Sequence, residues 1–275
     1  MLKRILLMKK ITVVTVCFNC VGTIEQTIKS VISQDYPDLE YIIIDGASQD
    51  GTLDIVNKYQ TKIKTIVSES DKGIFDAMNK SLKYITGYYV LFLNAGDKLV
   101  TPHIVSDIFG KQEHHEDLIY GDVYIQNELG YLFCKADAIY SKKPTKKELV
   151  FKSQGFCHQS LFTKTSMLKN IGFNLRYPLG ADYDTTAQIY NKGNQEIFYV
   201  GQPISVFDDR TGGASHNKIV EILKERADFF GYKPLVYVYL YAYKEIISNK
   251  VKAIIERLFP DAVRAQRMKK YKVEI

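Results

Sequence analysis

An α/β fold built on a mainly parallel, Rossmann-like sheet is predicted by three observations. Apolar, β-branched runs alternate with segments of helical periodicity through the first hundred residues, the links between them are short, and each apolar run stops at polar residues. A chain of 275 residues, 46% hydrophobic and 25% charged, can bury one large core of this kind, and a mainly disordered or low-complexity chain is excluded.

The elements follow in order. Ile11–Phe18 is a β-branched apolar run suited to a buried strand, and Asn19-Cys20-Val21-Gly22 turns it. Thr23 to Ser33 is a helix, because Ile24, Ile28, Val31 and Ile32 recur at i, i+4, i+7 and i+8. Leu39–Ile44 is a second buried strand and ends in Asp45-Gly46. Ser48 or Asp50 can cap the next helix, Thr52 to Tyr59, and Thr65–Ser68 is a third strand. Lys72–Thr86 carries Ile74, Met78, Leu82 and Ile85 on one helical face, and Tyr88–Leu93 is a strand stopping at Asn94-Ala95-Gly96-Asp97. Further on, Leu118–Ile125 and Tyr131–Lys135 suit a hairpin around Asn127-Glu128-Leu129-Gly130. Ser141–Lys152 is a lysine-dense loop; Phe162–Ile171, Asp184–Lys192 and Asn217–Phe230 suit helices, and Glu196–Val200 a strand. In the tail, tyrosines 237, 239, 241 and 243 alternate as in a strand, but Ala242–Phe259 has apolar residues at helical spacing, and a helix is expected.

Charge divides the chain. Residues 231–275 hold ten basic and four acidic residues, which is the entire net charge of +6, while residues 1–230 are balanced at 27 of each sign. A nucleic-acid binder would spread its excess over the main domain, so nucleic acid is not an expected partner. The division predicts a main domain, 1–230, and a basic, tyrosine-rich helical extension, 231–275. Basic residues beside tyrosines and aliphatics suit either an anionic membrane surface or a lid packed on the domain. Four cysteines form no disulfide scaffold at this length, no uncharged apolar run reaches bilayer-spanning length, and Ile5–Met8 is too short for a signal-peptide core. A cytoplasmic protein is expected, with the inner face of the cell membrane as a peripheral location.

Polar residues collect at the ends of the first four strands: Asn19, Asp45, Glu69-Ser70-Asp71 and Asn94-Ala95-Gly96-Asp97. In an open α/β sheet these ends share one rim, where a nucleotide would lie. Neither G-x-G-x-x-G nor a P-loop motif is present, so phosphate charge needs another device, and Asp97 suggests a hard divalent cation bound through oxygen. Cys17-x-x-Cys20 lies at a strand end and is read as structural thiols; His114-His115 sits in a charged stretch and is expected to be solvated.

Six segments together resemble family 2 glycosyltransferases: ITVVTVCFN (11–19), IDGASQDGT (44–52), SESDKGIFDAMNK (68–80), FLNAGD (92–97), CHQS (157–160) and GADYD (180–184). The resemblance covers about residues 9–216 and implies a GT-A fold, a mixed but mainly parallel Rossmann-like sheet flanked by helices. It also implies a nucleotide-sugar donor, most often a UDP-sugar, with Mn²⁺ or Mg²⁺ on its pyrophosphate. Carried over residue by residue, Phe18, Asn19, Asp45 and Ser48 surround the base and ribose. Asp71, Lys72 and Gly73 form the donor-site turn with Asn79 in the helix behind it, and Asn94, Ala95 and Gly96 lead to Asp97, which binds metal. Asp182 is implied as catalytic base, His158 and Gln159 as the acceptor side, and Gly212-Gly213-Ala214-Ser215 as a flexible loop over the donor; Arg210, just before the glycine pair, is placed either to reach a diphosphate or as a surface residue. Two departures stand out: Gly96-Asp97 where many relatives have two acids, and Asp45-Gly46-Ala47-Ser48 where many have Asp-Asp-Gly-Ser. The first predicts modest metal affinity, and the second bears on the preference for uridine.

The expected activity is sugar transfer to a saccharide or lipid-linked saccharide acceptor in surface-polysaccharide synthesis. A placed carboxylate takes the acceptor proton, and direct displacement inverts the anomeric centre with no covalent intermediate. Asp184 rivals Asp182 for that role. A binding protein that kept the fold but lost turnover, and a sugar nucleotidyltransferase, are the alternatives.

Overall fold

The computed structural model describes residues 8–127, 130–134, 156–194, 196–209, 218–231 and 235–258. The predicted Ser141–Lys152 loop and the glycine loop with Arg210, Gly212, Gly213 and Ser215 lie outside the described residues.

The first four strands are β1 (Ile11–Cys17), β2 (Leu39–Asp45), β3 (Thr65–Ser68) and β4 (Tyr89–Phe92), all parallel in the order β3-β2-β1-β4. The β-branched residues of β1 and β2 are buried on both faces, as a parallel sheet covered by helices demands, while those of the edge strand β3 are half-buried. Val14, Val16, Ile42 and Ile44 face one core with Phe75 and Met78 of α3 (Ile74–Ser81). Val13, Ile43 and Leu91 face the other, with Ile24, Ile28 and Val31 of α1 (Ile24–Ile32). The short helix α2 is Thr52–Lys58.

Beyond β4 the sheet turns mixed. β8 (Leu161–Lys164) pairs antiparallel with β4 and with β6 (Leu118–Asn127). β9 (Ile197–Asp208) runs parallel to β6 and takes the two-residue β5 (Lys98–Leu99) on its other side. β7 (Gly130–Cys134) closes the predicted hairpin on β6, with Asn127 opposite Gly130. Helices α4 (Ile104–Phe109), α5 (Thr165–Ile171) and α6 (Ala181–Lys192) complete the layers. α7 (Ile219–Phe229) carries Leu223 and Ala227 against Val238 and Ala242 of α8 (Leu235–Leu258).

Several expectations need correction. Leu161–Lys164 is strand, because its backbone is captured between β4 and β6; the helix expected over Phe162–Ile171 starts only at Thr165. The helix expected from Lys72 begins at Ile74, since Gly73 takes φ +114°. The strand expected over Glu196–Val200 continues to Asp208, passing the positive φ of Gly201 and a register shift beside Asp122. The tyrosine alternation belongs to a helix throughout. His114 is buried, its ring held by Glu116 and the Ile108 carbonyl and edge-on to Phe109; His115 alone is exposed.

Candidate active site

The carboxyl ends of β1 to β4 form one rim, and the expected donor residues lie along it. Asp45 ends β2 fully buried and accepts hydrogen bonds from the Ser48 backbone N–H (3.0 Å), the Ser48 hydroxyl and the Ser68 hydroxyl (2.7 Å). Ser48 in turn accepts from the Asn19 N–H at 2.8 Å, and Asn19 Oδ1 accepts from the Gln49 N–H at 2.9 Å. Asp45 thus locks the β1 and β2 loops together. Phe18, next to Asn19 on the same rim, is 62% exposed. Cys17 and Cys20 are free thiols below this loop. The hydrogen bond to Cys20, with burial and Asp45, holds the Cys17 thiol well above the usual range, as suits a structural thiol.

Gly46 explains one departure. A Cβ there would lie 2.6 Å from Asp71 Oδ2 and 3.2 Å from Phe18 Cδ2, so Asp71 occupies the space a side chain would need. Asp71 Oδ1 also accepts the Gly73 N–H at 2.9 Å, which fixes the turn before α3. Lys72 is exposed at that turn. Asn79 lies in α3, behind that turn. Its amide exchanges two bonds of 2.8 Å with the backbone of Phe173, so it ties α3 to the loop after α5.

Gly96 explains the other. Its φ of +105° is open to glycine and strained for a side chain, so the turn after β4 requires it. A second carboxylate lies close by, from elsewhere in the chain. Asp208, at the end of β9, has its Oδ2 3.9 Å and its Cβ 3.7 Å from where a Gly96 Cβ would be. The Asp208 N–H donates to Asp97 Oδ1 at 3.0 Å. Asp97 is only 3% exposed, and its carboxyl is pushed up to about 6, by burial first and by the Asp208 charge as well. Bonds from the Asp208 backbone and the Gln159 side chain, together with nearby His158, offset part of that rise. Thr27 pins the loop, donating to the Asp97 carbonyl at 2.6 Å and accepting the Gly96 N–H at 2.9 Å. Asp208 was not legible as a site residue.

A divalent cation fits this donor set. The oxygens are hard, two carboxylates share the neighbourhood, and such ions are commonly held by one or two carboxylates plus substrate phosphates. Among the described residues no three His, Cys, Asp or Glu side chains form an all-protein cage.

The residues expected on the acceptor side meet the rim through one line of contacts. Asp182, in the first turn of α6, approaches His158 Nδ1 with Oδ2 at 3.2 Å; His158 Nε2 lies 2.9 Å from Asn94 Nδ2. With Asn94 Nδ2 as donor, Nε2 accepts and the ring proton belongs on Nδ1, facing Asp182. That orientation leaves Asn94 Oδ1 buried without a partner among the described residues; the flipped amide would accept from a protonated Nε2 instead. Asp184 does not compete for the role. It is buried, raised by that burial, and accepts from Gln188 at 3.1 Å on the core side of α6. Ala95 is half-buried and packs against the core, and Gln159 is buried with its side chain bonded to Asp97.

Residues 12–172 match the family model described as "Glycosyl transferase family 2". The "PGL/p-HBAD biosynthesis glycosyltransferase" of Mycobacterium bovis (strain BCG / Pasteur 1173P2) is 30% identical over 209 residues, 74% of this chain and 77% of that protein. The Escherichia coli "UDP-Glc:alpha-D-GlcNAc-diphosphoundecaprenol beta-1,3-glucosyltransferase WfaP" is 34% identical over 122 residues, 44% of this chain and 49% of that protein. In structure, S. aureus TarS 1-349, solved with UDP-GlcNAc, superposes with TM-score 0.63 at 21% identity, covering 80% of this chain and 66% of that one.

Proposed function

Because this chain belongs to glycosyl transferase family 2, we propose that it moves a sugar from a UDP-sugar to a saccharide or lipid-linked saccharide acceptor by one inverting displacement. The observation that carries the mechanism is the line Asp182–His158–Asn94, which joins a half-buried carboxylate to the donor rim.

Phe18 offers an exposed aromatic face to the base. Asp45, Ser48 and Asn19 set the loop that holds the ribose, and Asp71 with the Gly73 turn borders the nucleoside. Asp97 would hold a Mn²⁺ or Mg²⁺ ion, with Asp208 as a second carboxylate. Bound there, such an ion supplies Lewis-acid stabilisation of the charge on the departing diphosphate. The acceptor hydroxyl oxygen bonds to the anomeric carbon as the carbon–oxygen bond to phosphate breaks, and its proton passes to the Asp182 carboxylate. Attack from the face opposite the diphosphate inverts the centre. His158 donates from Nδ1 to Asp182 and so keeps one carboxylate oxygen aimed at the acceptor. A biosynthetic glycosyltransferase is supported by the name of the mycobacterial protein, and a UDP-sugar donor with a lipid-linked acceptor by that of the E. coli protein. Such an acceptor goes with a peripheral site on the inner face of the cell membrane, reached through residues 231–275.

The loss-of-turnover alternative rested on Gly96, and the positive φ accounts for that residue without a lost site. Asp182→Asn should lower transfer by about 10²–10⁴-fold, the usual worth of a general base, with UDP affinity unchanged. Turnover at the parent rate would remove Asp182 from the role. Release of pyrophosphate in place of UDP would favour the nucleotidyltransferase.

A further inference from the structure

Leu240, Tyr243, Ile247, Val251, Ile254 and Leu258 of α8 are all exposed, Leu240 to 60% and Tyr243 to 66%. They follow one another at intervals of three or four, so at 3.6 residues per turn they form a single line. The opposite side of the helix is already used: Val238 and Ala242 are fully buried against α7. With 24 residues the helix is about 36 Å long, and its free face is a continuous apolar strip of a kind that soluble surfaces seldom show.

Charge selects what covers the strip. Lys244 lies about 60° round the helix on one side of the line, and Lys250 and Arg257 lie about 60–80° round on the other. All three are exposed. The acidic Glu245 is half-buried on the far side, with Tyr241. A second copy meeting this face about a two-fold axis would set basic flanks around the seam where stable helix pairs place opposite charges. Anionic lipid headgroups complement the same flanks, and aliphatic and tyrosine side chains suit the layer beneath them. Among the described residues no helix is long and apolar enough to cross a membrane, which leaves a helix lying in the interface.

We propose that this face of α8 docks on an anionic bilayer, with Leu240, Tyr243, Ile247, Val251, Ile254 and Leu258 in the headgroup–acyl boundary and Lys244, Lys250 and Arg257 on the lipid phosphates. The proposal deepens the lipid-linked-acceptor reading, on which its purpose rests. It fixes which side of the molecule faces the lipid.

The test is co-sedimentation of the full chain with phosphatidylcholine vesicles, with and without phosphatidylglycerol, and UDP release from UDP-sugars in the same tubes. The parent should sediment with the phosphatidylglycerol vesicles and be released by salt. Leu240→Ser with Ile247→Ser should weaken that binding at least about tenfold, and Lys244→Glu with Lys250→Glu similarly. Both pairs are exposed, so circular dichroism and UDP release should stay at parent values. Equal binding to pure phosphatidylcholine, binding that survives both pairs, or no binding at all would overturn the proposal. A dimer that Leu240→Ser dissolves would overturn it in favour of a second copy on the strip. Vesicle binding without UDP release would overturn the transferase reading and leave this one; UDP release without vesicle binding would do the reverse.

Discussion

Replacing Gly46 by alanine separates the proposed role of Asp71 in binding from its role in folding. Gly46 does not have a positive φ, so alanine fits the backbone there. The added Cβ would sit 2.6 Å from Asp71 Oδ2, well inside contact distance, but that atom is the end of a side chain that can swing away. Swinging breaks the 2.9 Å bond from the Gly73 N–H, which in a partly exposed turn is worth about 1 kcal/mol. Unfolding free energy should therefore fall by only about 1 kcal/mol. Donor binding should suffer more, because a hydrogen bond from a donor hydroxyl or N–H to a charged carboxylate is worth about 1.5–3 kcal/mol and its loss corresponds to about 10–100-fold in affinity. Calorimetric titration of UDP with Mn²⁺, beside chemical denaturation, reads both effects. In an Asp71→Ala background the Gly46→Ala change should cost almost nothing further, since the group it displaces is gone. UDP affinity within twofold of the parent in Gly46→Ala would refute the reasoning, as would a full additional loss in the double variant.

The other predictions are shorter. Gly96→Ala should destabilise by about 1–3 kcal/mol in thermal or chemical unfolding, from the φ of +105° and not from crowding, because nothing lies within 3.7 Å of its Cβ. Asp97→Asn should remove the metal dependence of UDP binding while circular dichroism is unchanged; metal-enhanced binding in that variant would contradict the assignment. His158→Ala should lower kcat far more than it raises donor KM, because it acts through Asp182 and not on the nucleotide. For Glu40, burial alone would raise the carboxyl, but bonds from Thr12, the Thr86 N–H and hydroxyl, and Lys10 outweigh it and hold it below its ordinary 4.5. The unfolded state then binds the proton more readily, so this contribution is full above about pH 4.5 and is lost as pH falls through the lower folded value. Denaturation midpoints measured down that range should fall more steeply for the parent than for Glu40→Gln.

The four parallel strands and their rim were legible because each is a short apolar run cut off by polar residues, β-branched and buried on both faces in β1 and β2 and half-buried in the edge strand β3. Asp45, Asp71 and Asp97 could be placed for that reason. What failed was pairing between distant segments. Leu161–Lys164 has no local feature that distinguishes it from the start of the helix after it, and only its partners on both sides make it a strand. Gly201-Gln202-Pro203 reads as a break, yet the strand continues past it through the apolar run Ile204–Phe207. Asp208 was lost with that continuation; an apolar run closed by two acids was the signal available. The contact of His158 with Asp182 spans 24 residues, and no periodicity encodes it. Gly46 and Gly96 looked like missing acids, and only the space taken by Asp71 and the backbone angle show why glycine stands there.

The central claim, a donor site on the strand-end rim closed by the Asp97 carboxylate and a divalent ion, is tested most directly by calorimetric titration of UDP, GDP, CMP and dTDP with and without Mn²⁺. The account predicts that UDP binds, that Mn²⁺ strengthens its binding, and that Asp97→Asn removes the strengthening. Failure of all four nucleotides to bind with the metal present would contradict it.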